Sequence, residues 1–147
     1  MDEIEKRDGD TIIIQTPNSF LSNRIGMCHD ATVYINQLCD EKGVENKCVY
    51  ITSNLAPHYP THSFNVIKLL NNKWQVIDVF ATNNCLWKEP FNSCEEAVNE
   101  RVRSWIEVDN NGDSNIEILI GENMPQGGCN MVEYYHKLVK VFSVYNI

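Results

Sequence analysis

The chain lacks any apolar run approaching the ~20 residues that a membrane-spanning helix requires, so an integral membrane reading finds no support. It has no cluster of lysine and arginine either. With 20 acidic against 12 basic residues and a net charge of −8, it is poorly suited to nucleic acid or to an anionic membrane surface. No C-x-x-C pair occurs among its six cysteines, at 28, 39, 48, 85, 94 and 129, which removes zinc-knuckle and thioredoxin-type readings. The opening MDEIEKRDGD is charged rather than apolar, unlike a secretory signal. Three disulfides in a secreted domain are therefore the lesser expectation. Free thiols in a reducing, cytoplasmic setting are the greater one. There is no internal repeat or low-complexity tract, and 147 residues suit one domain with one core, residues 1–147.

What is present is concentrated in residues 26–78. GMCHDATVYINQLCDEKG spaces Ala31, Ile35, Leu38 and Cys39 near helical period, with Gly43 as a stop. Cys28 falls in the first turn of that helix, residues 27–42. A thiol is nucleophilic only as thiolate, and a helix N-terminus favours the anion. A neighbouring histidine, itself held by a carboxylate, is the second way to take the proton. His62 opens the strand-like run HSFNVIKL, and WQVIDV returns from an Asn71-Asn72 turn with Asp78 near its end. That turn predicts Asp78 opposite Asn65, about three residues along from His62. Register decides whether His and Asp share a face. His29 follows Cys28 directly, and consecutive helix residues diverge by about 100°, so His29 is expected at the rim. The loop SNLAPHYPT leads straight into His62. It places His58 and Tyr59 at the border of a cleft, with His58 as the fallback base.

Gly-x-Cys-x-Asp before a helix, His-x-aromatic-Asn-x-Val, a short turn and Trp-x-x-x-Asp together resemble the transglutaminase-like branch of the papain-fold cysteine enzymes. The resemblance covers roughly a third of the chain. It implies an α+β fold in which a Cys-bearing helix packs on an antiparallel sheet. Cys28 is then the nucleophile, His62 the general base and acid, and Asp78 the residue that orients the ring. Asn65 and Trp74 match family positions, whereas Phe64 stands where the family often has tryptophan. Phe64 and Trp74 join His58 and Tyr59 as expected cleft-rim residues. Papain-like enzymes often use a side-chain amide before the cysteine as oxyanion donor. Gln15, Asn18 and Asn23 are the amides available, and the backbone N–H of Cys28 is the alternative.

The reaction implied is acyl transfer from an amide in a protein or peptide substrate, with no cofactor and no metal. Water as second nucleophile makes a protease, amidase or deamidase; an amine makes a transglutaminase. Hydrolysis is favoured because water needs no second site. The rival is a binding module that keeps the fold with an idle thiol.

The rest of the sequence reads as scaffold. Residues 11–14 and 47–52 look like strands, and residues 81–92 look irregular. Ser93 and Glu96 form a capping box for a helix to about Trp105, with Val98, Val102 and Trp105 inward. Asp109-Asn110-Asn111-Gly112-Asp113 invites a calcium reading. Its glycine is fourth, where a calcium loop needs it sixth, so it is expected as a turn between 106–108 and the alternating Ile116, Ile118 and Ile120. Asn130 caps a last helix with Met131, Tyr134, Tyr135, Leu138 and Val139 inward.

Overall fold

Lys47 to Thr52 is dense in β-branched and aromatic side chains, which suit a pleated, two-sided core strand, and it forms the body of β2 (Asn46–Ser53). The computed structural model describes residues 13–14, 28–53, 61–79 and 85–147. Around β2 lie β3 (Thr61–Lys68), β4 (Trp74–Ile77), β5 (Leu86–Phe91), β6 (Ile116–Gly121) and β8 (Ser143–Val144), in the order β5-β4-β3-β2-β6-β8. Every pairing in this sheet is antiparallel. A small second ladder joins β1 (Ile13–Ile14) to β7 (Cys129–Asn130). Among the described residues there are three helices: α1 (Cys28–Glu41), α2 (Cys94–Asp109) and α3 (Met131–Val141). The architecture is α+β with an antiparallel sheet. No helix among the described residues is long and apolar enough to cross a membrane.

The period-two alternation of β2 sends its side chains to two cores. Cys48 and Tyr50 join Val33 of α1, Leu119 of β6, and Tyr134 and Leu138 of α3. Val49 and Ile51 join Phe64, Val66, Val76 and the inner stripe of α2, namely Ala97, Val98, Val102, Trp105 and Ile106. Helices therefore cover both faces. α1 ends as Gly43 takes φ +69°, with Val44 N–H donating to Cys39 O at 2.8 Å and Gly43 N–H to Asp40 O at 3.2 Å. This is the Schellman pattern of a glycine-terminated helix.

Several expectations need correction. The β3–β4 register is one residue off, with Ile77 rather than Asp78 opposite Asn65. The loop is three residues long. Leu69 N–H donates to Lys73 O at 2.8 Å, and Asn72 takes the left-handed φ of +66°, which asparagine tolerates. Residues 86–91, expected to be irregular, form edge strand β5, broken by a register shift and by positive φ at Lys88. Pro90 is accommodated because an edge strand has a side without ladder bonds. α2 runs on to Asp109, so residues 106–108 finish a helix, and the polar turn joins α2 to β6. Ser93 Oγ accepts from Glu96 N at 3.1 Å, and Asn130 Oδ1 from Glu133 N at 2.9 Å, as N-caps do. In α3, Tyr134 and Leu138 are buried but Val139 is exposed.

α1 differs most from its apolar pattern. Leu38 is exposed and Ile35 half-buried, while His29, Asp30, Thr32 and Asn36 are buried with Ala31 and Val33. The face turned to the sheet is polar because the strands beneath it offer Thr61, Ser63 and Asn65 as partners.

Candidate active site

Thr61, Ser63 and Asn65 project from β3 toward α1, and His62 and Phe64 project toward α2. Cross-strand pairs confirm the alternation: Ser63 lies opposite Tyr50 of the α1-side core, and Phe64 opposite Val49 of the α2-side core. Asp78 follows Val76 by two residues, so it shares the face of His62. β4 leaves the ladder after Ile77, and His62 Nε2 lies 2.6 Å from Asp78 Oδ2. Both residues are buried. Sequence alone left the shared face open; the register found here provides it.

Cys28 is the first residue of α1, half-buried, with its sulfur at the amino end of the helix. Burial pushes its thiol up. The charges of His29 and His62, with hydrogen bonds from both, outweigh this and hold it well below the ordinary value of 9.0. For His62, burial acts downward, but the Cys28 charge and the bond to Asp78 raise the ring to about 9. Burial acts upward on Asp78 too. Hydrogen bonding and charge from His62, then the charge of Arg101, bring it below the usual carboxylate value of 3.8. An ionised Asp78 can only accept, so His62 carries its proton on Nε2. That leaves Nδ1 as the ring nitrogen available to the thiol.

His29 is a correction: it is no rim residue but is 1% exposed, stacked on the Tyr50 ring at 4.9 Å. Its ring nitrogens lie 3.9 and 4.0 Å from Cys28 Sγ, yet both are engaged elsewhere. Nδ1 meets Ser63 Oγ at 2.7 Å, and Nε2 meets Thr61 Oγ1 at 2.9 Å. Counting protons fixes the role of Nδ1. Thr32 spends its single hydroxyl proton on Cys28 O at 2.8 Å. Ser63 must then donate to Thr32 across 3.0 Å, and His29 must donate from Nδ1 to Ser63. The chain closes on the backbone of the candidate nucleophile and keeps His29 from serving as its base.

The other expected residues are dispersed. Gln15, Asn18, Asn23, His58 and Tyr59 lie outside the described residues. Phe64 and Trp74 do not form a rim. Phe64 is 1% exposed in the α2-side core, its ring centroid 6.2 Å from that of His62, and half-buried Trp74 packs against the same core. Both have the parity that points them under α2. Asn65 points the other way and donates to Thr32 O at 3.1 Å. The five remaining cysteines are free. Burial raises Cys39, Cys48 and Cys94, the last to about 11. No group of three or more potential metal ligands occurs among the described residues.

One residue was missed. Arg101 of α2 is 4% exposed, and its Nε donates to Asp78 Oδ2 at 2.9 Å. Its Nη2 stands 3.4 Å from His62 Nε2, and its guanidinium lies 5.3 Å from the centroid of the Trp87 ring. The available signal was its spacing: a cation three residues after Val98 and four before Trp105 sits in the inward stripe.

Compared with protein-family models, curated proteins and solved structures, the chain gives no match.

Proposed function

We propose that this chain is a thiol-dependent acyl-transfer enzyme with a papain-like, transglutaminase-like core, hydrolysing amide bonds in a protein or peptide substrate. The observation that carries the reading is the buried His62–Asp78 pair at 2.6 Å, set against a Cys28 thiol held in its reactive range. A solvated surface pair has no need of such burial, and perturbed, mutually coupled groups are what nucleophilic chemistry requires.

The resting pair is Cys28 thiolate and His62 imidazolium. The sulfur attacks the amide carbon, a C–S bond forms, and the carbonyl π pair moves onto oxygen. The partial positive charge at the amino end of α1 favours that oxyanion. Collapse breaks the C–N bond while His62 Nδ1–H protonates the departing amine, leaving a thioester. Water then attacks the thioester carbon and gives its proton to Nδ1. The C–S bond breaks, the carboxylic acid leaves, and thiolate and imidazolium are restored. Asp78 holds Nε2–H throughout, so the ring turns the same nitrogen to the sulfur in both halves.

Iodoacetamide at neutral pH tests the reading. Cys28 is expected to alkylate at least about tenfold faster than the other five thiols, and His62→Ala to slow it. Equal, sluggish labelling of all the thiols would turn the site into an idle fold and favour the binding module. Intact masses of candidate substrates then identify the reaction: a gain of about 1 Da for deamidation, fragments for proteolysis, a joined adduct for crosslinking.

A further inference from the structure

Arg101 does more than close a buried ion pair. Its Nε and the Nε2 of His62 both donate to the same oxygen, Asp78 Oδ2, at 2.9 and 2.6 Å. Because Nε2 carries a proton, the 3.4 Å approach of Arg101 Nη2 to it sets one N–H against another. No hydrogen bond is possible there, and arginine cannot relieve the clash of charge by losing its proton. We infer that Arg101 is a positioning residue with two opposed effects: it fixes the carboxylate that orients His62, and its charge presses that ring to release its proton. The inference rests on the proposed enzyme reading and names the residue that makes His62 a ready proton donor.

The chemistry needs such a counterweight. Among the described residues, the titratable and charged groups facing His62 are Cys28 of α1, Asp78 beyond β4 and Arg101 of α2. Two of these are anions that favour the protonated ring. An imidazolium held by both would be slow to protonate a leaving amine, since proton transfer is most efficient when donor strength suits the working pH. The third partner is a fixed cation on the opposite side of the balance. Its location is enforced: Arg101 is buried on α2 between Val98 and Trp105, with Trp87 beneath the guanidinium. Lysine could supply charge but no comparable fork.

Ring-nitrogen NMR titration of His62 decides the matter without an activity assay. Arg101→Gln keeps a donor for Asp78 and removes the charge; Arg101→Met keeps most of the volume and removes both. In whichever variant folds, the His62 midpoint is expected to rise by about one pH unit, while Arg101→Lys restores it toward wild type. A residue that merely anchors Asp78 predicts the reverse sign, because a displaced carboxylate no longer supports the imidazolium. An unchanged or lowered midpoint therefore overturns the inference. Alkylation of wild-type Cys28 separates the two levels. A reactive Cys28 with no rise in midpoint sinks the role of Arg101 alone. An unreactive Cys28 sinks the enzyme reading and, with it, the catalytic meaning of Arg101.

Discussion

At the scale of single residues, the site is a balance of charges that burial alone would neutralise. Desolvation opposes the charged forms of Cys28, His62 and Asp78, and each is carried past that opposition by its neighbours. The two members of the thiol–imidazole pair raise and lower each other, so they titrate together. Hydrolysis should follow a bell-shaped pH profile. Its acid limb marks protonation of a thiolate whose value lies well below 9.0, and its alkaline limb, near pH 9, marks loss of the imidazolium proton. Cys28→Ser removes the largest contribution raising the ring. The His62 midpoint, followed by NMR, is then expected to fall from about 9 toward the ordinary histidine value of 6.5, because burial is then opposed by Asp78 alone. A midpoint unmoved by that substitution would mean that the sulfur and the ring are not coupled.

At the scale of elements, α1 is held against the sheet by polar contacts as much as by packing. Asn36 is the clearest instance. Its Nδ2 donates to Asn46 Oδ1 and to Glu122 O, both at 2.8 Å, and its Oδ1 accepts from Met124 N at 3.0 Å. One side chain thus ties α1 to the start of β2 and to the segment after β6. Asn36→Ala would remove the partner of Asn46 Oδ1 and of Met124 N–H, both in buried bonds, and of the part-buried Glu122 O, at about 2 kcal/mol by urea unfolding. Asn36→Asp should be no rescue, since it replaces two donations with negative charge. A loss within ~0.5 kcal/mol, the range of surface substitutions, would show that water replaces the amide. The same polar face explains what sequence could and could not convey. Strands β2, β3 and β4, the start of α1 at Cys28 and the caps at Ser93 and Asn130 were legible, because period, turn residues and capping chemistry are local. The buried stripe of α1 was not. Apolar spacing pointed to Ile35 and Leu38, whereas hydroxyls and amides on β3 and β2 rewarded burial of His29, Thr32 and Asn36. Hairpin register missed by one residue because Asn72 takes a left-handed conformation and lengthens the loop. Cys28, His62 and Asp78 were found as residue types in order, while Arg101 depends on α2 crossing the second face, a tertiary fact with only a periodic hint.

At the scale of the whole molecule, the same burial that tunes the site sets how stability responds to pH. Between pH 6.5 and 9 the coupled pair contributes two opposite slopes. His62, raised to about 9 from 6.5, loses its stabilising share as pH rises through that window. Cys28, lowered from 9.0, gains its share as pH rises and loses it as pH falls toward its own depressed value. Wherever Cys28 is already thiolate in the folded chain, folded and unfolded chains hold equal protons at this pair, and there it adds no net slope. Above pH 9 the balance changes. Cys48 and Cys94 are raised from 9.0, and Tyr50 and Tyr134 from 10.0, chiefly by burial. In each case the unfolded chain sheds the proton first. The folded state then binds more protons, and stability declines with rising pH, by roughly 1.4 kcal/mol per pH unit for each fully suppressed group. Urea midpoints measured from pH 6 to 11 are therefore expected to be level up to about 9 and to drop beyond it. Cys48 is wholly buried in the α1-side core, which makes Cys48→Ala the sharpest check. The variant starts less stable because it leaves a small cavity, but its decline above pH 9 should be shallower by one proton's slope. Parallel declines in the two proteins would assign the alkaline loss to groups outside that core.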